Sequence, residues 1–178
     1  MTSTPQRSWE SIIPITCGWC RTKAKPLESS LYHSLTHHRR RWTIAFFVWL
    51  CVVWGHSLMS GEASSAESSD VVDVLRPLFA LFGVSDQHVM SFVVRKTAHF
   101  SEYAILGGLG LRMAIAWFGA TKRAIALACG ILLVVPCVDE AIQLFVPGRA
   151  GMPTDILIDM AGGALGLLAC WLCISKRQ

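Results

Sequence analysis

Residues 124–146, AIALACGILLVVPCVDEAIQLFV, decide the reading of this chain. They contain no Lys or Arg, and two acids, Asp139 and Glu140, stand side by side near the end. A hydrocarbon core about 30 Å thick is crossed by roughly 20 apolar residues in helix. The stretch is long enough to span, and Pro136 inside it predicts a kink. Ionisable groups in such a run are costly, which makes them functional candidates by default.

Three more runs qualify: 43–59, with His56 near its end, 98–118 and 156–174. The expected fold class is therefore all-α, a polytopic transmembrane helical bundle of about four spans over residues 43–174. The connections 119–123 and 147–153 are short, so the helices they join are antiparallel neighbours. Composition agrees. Only 16% of the 178 residues are charged and 53% are apolar, where a soluble domain carries about a quarter charged. The net charge of +4 is mild, and the basic residues lie between apolar runs rather than in one stripe, so no nucleic-acid partner is expected. Seven cysteines, five of them in apolar runs, do not make a secreted disulfide framework. Cys170 and Cys173 read as packing.

The basic residues give an orientation. Arg39, Arg40 and Arg41 precede the first run, Lys122 and Arg123 lie between the second and third, and Lys176 and Arg177 follow the fourth. The positive-inside rule places both termini in the cytoplasm of a multi-pass plasma-membrane protein. Trp42, Trp117 and Trp171 fall at the same ends, as an aromatic belt would, and Arg112 can snorkel to that side. Residues 1–42 read as a basic, poorly ordered cytoplasmic extension, and 175–178 as a cytoplasmic tail. A signal peptide cleaved near Ala63-Ser64-Ser65-Ala66 is the competing reading, but 42 preceding residues are long for that class.

Residues 61–95 form the first outer connection. Gly61 to Asp70 is rich in serine and reads as exposed. Val71 to Phe82 is too short to span and reads as an interfacial or re-entrant helix. Ser85 or Asp86 can cap the helix that leads into the second span.

That orientation sends the polar residues of three helices and one loop to the outer leaflet. Lys96, His99 and Tyr103 share a face of the second span, with Glu102 at its border, at about 100° per residue. Asp139 and Gln143 share a face of the third, beside Glu140. Asp155 and Asp159 lie one turn apart in the fourth, and Arg149 is in the loop between. An ion-pair lattice could account for them. Five acids against Lys96, Arg149 and one histidine leave excess charge, which favours a ligand site. Gly162 and Gly166 form a GxxxG on the face of Asp155 and Asp159, which reads as close helix packing.

The stretches Arg95-Lys96-Thr97-Ala98-His99-Phe100-Ser101-Glu102-Tyr103, Asp139-Glu140-Ala141-Ile142-Gln143 through Arg149, and Asp155 through Asp159 to Gly162 and Gly166 resemble the VanZ-like family of bacterial integral membrane proteins. Asp159 departs from the pattern, since many members carry Asn there. The resemblance implies a small four-helix protein of the cell envelope. The founding member's association with teicoplanin resistance implies an effect on glycopeptide antibiotic sensitivity, but no settled reaction.

Three functions follow as expectations. The first is binding of a membrane lipid, a lipid-linked envelope precursor or a glycopeptide through Lys96, His99, Tyr103, Gln143, Arg149, Asp155 and Asp159. The second is an intramembrane enzyme acting on a lipid headgroup, with His99, Glu102, Asp139 and Glu140 as acid/base candidates. The third is a small transporter, which predicts ionisable groups through the whole depth. No cofactor and no metal are expected. A weak alternative is the Cys17, Cys20, His33, His37 set, which has zinc-finger spacing without that module's apolar core.

Overall fold

The computed structural model describes residues 25–149 and 151–176, with side chains from residue 36 onward. Residues 1–24 of the expected extension, with Cys17, Cys20 and the His33 side chain, lie outside the described residues, as do Arg177 and Gln178.

The described chain is all-α: α1 Lys25–Ser57, α2 Gly61–Leu81, α3 Gln87–Phe118, α4 Lys122–Gln143 and α5 Pro153–Ser175. The helix of the first run begins at Lys25 rather than Thr43, because no glycine or proline interrupts residues 27–54. By length and composition α4 and α5 can each cross a membrane. Residues 36–57 with α2 make a third candidate, bent by 103° at the break between them. That is two to three qualifying segments against the four expected. The difference lies in α1, which qualifies only together with α2, and in α3. The latter is 32 residues long but carries Arg95, Lys96, His99, Glu102 and Arg112.

Gly61 to Asp70, mostly exposed or half-exposed as expected, is the first half of a continuous helix. Serine is weak in helix interiors because its hydroxyl competes for backbone groups. Here Ser65, Ser68 and Ser69 each donate to the carbonyl four residues back, at 2.7, 2.6 and 2.9 Å, so the competition stays inside the helix. Ser60 caps its start by accepting from the Ala63 amide. At the far end Gly83, at φ 71, turns the chain, and Asp86 caps α3 by accepting from the His88 amide at 2.7 Å.

The tightest packing is between α3 and α5. Gly162 and Gly166 lie against the carbonyls of Phe100 and Ala104, and Gly107 lies against that of Gly163. Small residues let helix backbones approach this closely where lipid supplies no hydrophobic drive. α1 completes the core with Phe46, Leu50 and Val53, at i, i+4 and i+7, packed with Tyr103, Leu106 and Met113 of α3 and Val135 of α4. Much of the apolar surface faces outward instead. Phe47, Val48, Leu133, Val134, Leu168 and Leu172 are each about half exposed or more. Helices this apolar with outward-facing apolar sides have lipid as their solvent.

The two ends of the bundle differ. At one end Arg39 donates to the Ala116 carbonyl at 3.1 Å and lies over Trp117, while Arg112 lies over Trp42. The other end holds the break between α1 and α2, the α4–α5 loop and the polar residues.

Candidate functional site

Three helices bring ionisable residues to this second end. His99 is in the first half of α3, Asp139 in the last turns of α4 and Asp159 in the second turn of α5. One ligand-type atom of each lies within 4.8 Å of the other two. Asp139 is fully buried and Asp159 nearly so. Gln143 Nε2 donates to Asp139 Oδ2 at 3.3 Å. The hydroxyls of Ser57 and Tyr103 approach the same carboxylate, and neither closes a hydrogen bond among the described residues. Tyr103 and Ser57 are fully buried too. His99 Nδ1 is 3.8 Å from Asp159 Oδ1, beyond hydrogen-bond reach.

Beside this node lies an open cleft of about 560 Å³. Arg95, Lys96 and His99 line it from α3, Ser65 and Ser69 from α2, and Arg149 and Asp155 from the loop and α5. His99 and Gln143 belong to both node and cleft. Lys96 Nζ pairs with Asp155 Oδ1, and both side chains are about one-fifth exposed. Arg149 spends two donors on backbone: Nε on the Met59 carbonyl at 3.1 Å and Nη2 on the His56 carbonyl at 2.9 Å. It thereby pins the α4–α5 loop to the break after α1. Gly61 strengthens the same joint, with its amide donating to the Pro147 carbonyl at 3.0 Å. Burial, and then the like charge of Arg95, hold the Arg149 guanidinium below its usual range.

Two expected members sit elsewhere. Glu102 turns away from the node to His56, with Oε1 and Nδ1 2.5 Å apart. Glu140 turns to the loop, where Oε1 accepts from the Met152 amide. Adjacent helix residues point about 100° apart, so Asp139 faces the node while Glu140 faces the loop. Glu140 fastens the entry to α5. The residues missed are Arg95, Ser57, Ser65, Ser69 and His56. His56 had a signal, since it ends the first run at the same depth as the others. Arg95 had a signal too, since it adjoins Lys96 at the start of the same span.

The Lys96–Asp155 pair can be measured. Breaking one side of a partly buried pair strands the other charge. Lys96→Met and Asp155→Asn singly are expected to destabilise more than the two together, with a coupling of about 1–3 kcal/mol. Unfolding of the wild type and the three variants in mixed micelles reads this out, and strict additivity would show that the pair is not coupled.

Apolar helices with lipid-type surfaces, closed at one end by buried polar groups, define a helical membrane protein. More particularly, the chain belongs to the VanZ/LLP1 family, whose pattern matches residues 42–174. No curated protein and no solved structure matches it.

Proposed function

We propose that the cleft binds the anionic headgroup of a membrane lipid or lipid-linked envelope precursor at the outer leaflet, and that this binding alters sensitivity to glycopeptide antibiotics. One observation carries the reading. Arg95, Lys96 and Arg149 face the cleft with Asp155 as the single acid among its lining residues, and Asp155 is already taken by Lys96. Arg149 also has guanidinium N–H groups beyond the two used on carbonyls, and guanidinium groups match phosphate and carboxylate oxygens. The placement takes α1, α3, α4 and α5 as the four spans, with both termini in the cytoplasm. The arginine–tryptophan contacts at the opposite end support it.

A second reading has one observation in its favour. His99 lines the cleft and also neighbours Asp159, so a bound headgroup would meet an imidazole able to move a proton. Transport is disfavoured because the buried carboxylates, Asp139, Glu140 and Asp159, gather at one end of the core.

The test uses the full chain in nanodiscs of phosphatidylcholine, alone or doped with phosphatidylglycerol or a polyprenyl phosphate. Doped lipid is expected to bind, and Arg95→Ala to weaken it about tenfold, or about 1.4 kcal/mol. The same variant is expected to reduce the shift in glycopeptide sensitivity of expressing cells. Equal retention of neutral and anionic lipid would overturn the binding reading. A reporter fused after Gln178 that proves extracytoplasmic would overturn the outer-leaflet placement. A headgroup product that disappears with His99→Ala would move the reading to the enzyme.

A further inference from the structure

We infer that His99, Asp139 and Asp159 form a binding site for one divalent metal ion of the zinc or manganese class. Each residue offers an atom within 4.8 Å of the other two. Each offers a buried atom without a hydrogen-bond partner among the described residues: His99 Nδ1, Asp139 Oδ1 and Asp159 Oδ1. Buried polar atoms are normally satisfied, and an unpartnered atom on each of three clustered residues is what a removed central ligand would leave. Asp139 and Asp159 are 0% and 1% exposed, so bulk water does not screen them.

Charge points the same way. Two carboxylates from different helices meet here, with His99 as the basic side chain beside them, 3.8 Å from Asp159. Lys96 is held by Asp155, and Arg149 by backbone carbonyls. A divalent cation would cancel two carboxylate charges and use all three orphans. Ligands about 2.0–2.2 Å from a zinc ion lie roughly 3.4 Å from one another, so modest side-chain closure from the observed spacing would reach it. One imidazole with two carboxylates suits zinc or manganese better than a thiolate-seeking metal. Gln143, donating to Asp139 Oδ2, would orient that ligand as outer-shell groups do. Sequence offers no metal signature here because the ligands come from three helices, at positions 99, 139 and 159. The site does not depend on what the cleft binds.

The test is metal analysis of the full chain purified in detergent without chelator. After stripping with EDTA it is titrated with zinc by calorimetry and with manganese by electron paramagnetic resonance. About one equivalent per chain is expected, with a fall in Tm on stripping that the metal reverses. Manganese bound to the wild type should show coupling to a single imidazole nitrogen, a readout that needs no variant to fold. Asp139→Ala and Asp159→Ala should each weaken binding at least tenfold, while Asp70→Asn, on the exposed side of α2, should not. No stoichiometric binding, a Tm indifferent to EDTA, or unchanged affinity in both aspartate variants would overturn the site. The first of these results would leave a shared proton as the means by which the two carboxylates coexist.

Discussion

Gly166→Leu is expected to abolish the folded protein. A Cβ at Gly166 falls on the Ala104 carbonyl, and the same is true of Gly162 against Phe100. The obstacle is backbone, so no side chain can swing aside; α3 and α5 would have to separate. Overpacking ordinarily costs about 1–3 kcal/mol, and a leucine here also opens the interface that sets the depth of His99 against Asp159. Separating α3 from α5 adds the loss of their whole contact to that cost, against a total stability of about 5–15 kcal/mol. Gly166→Ala is expected to fold with a Tm clearly reduced. Gly130→Ala is the control. Nothing lies within 4 Å of its Cβ position, and helix propensity predicts a gain of up to about 1 kcal/mol. Size-exclusion profiles and thermal unfolding in detergent compare the three. A monodisperse Gly166→Leu protein with the wild-type Tm would refute the close approach.

The second large effect is expected at Arg149. Arg149→Ala should lose anionic-lipid binding and also loosen the joint between the α4–α5 loop and the end of α1. Its two hydrogen bonds are charge-assisted, and such bonds contribute about 1.5–3 kcal/mol each. Arg149→Lys separates the roles. Lysine restores a cation but lacks the fork that reaches two carbonyls at once. It should recover part of the lipid binding and little of the stability. Faster hydrogen exchange at Met59 to Ala63 in both variants, but not in Arg95→Ala, would mark the mechanical role. If Arg149→Lys restores the exchange pattern, the two-carbonyl clamp is not what holds the joint.

The helical class was legible because α4 and α5 are long apolar runs with few breaks, and Asp86 announced the start of α3. The first half of α2 was not legible, since serine favours turns unless its hydroxyl finds a carbonyl in its own helix, which composition does not reveal. In the site, orientation was enough to gather Lys96, His99, Arg149, Asp155 and Asp159 at one end. Assigning partners within that end took more. Glu102 sits on the border of its helical face, and its partner, His56, is 46 positions away, in α1. Glu140 adjoins Asp139 in sequence, yet helical geometry turns it toward Met152. Depth follows from topology, whereas direction at a given depth follows from rotamers and neighbours on other helices.

The back-bonded serines of α2 have a consequence for selectivity. Ser65 and Ser69 line the cleft, but their protons are committed to carbonyls of α2 itself. What they turn outward is lone pairs. Arg95 and Lys96, which also line the cleft, are donors only. On the proposed headgroup reading, a favoured ligand would offer oxygen anions to these cations and hydroxyl or amine hydrogens to the serines. A bare inorganic phosphate satisfies half of that requirement, whereas a sugar- or glycerol-bearing phosphate satisfies both.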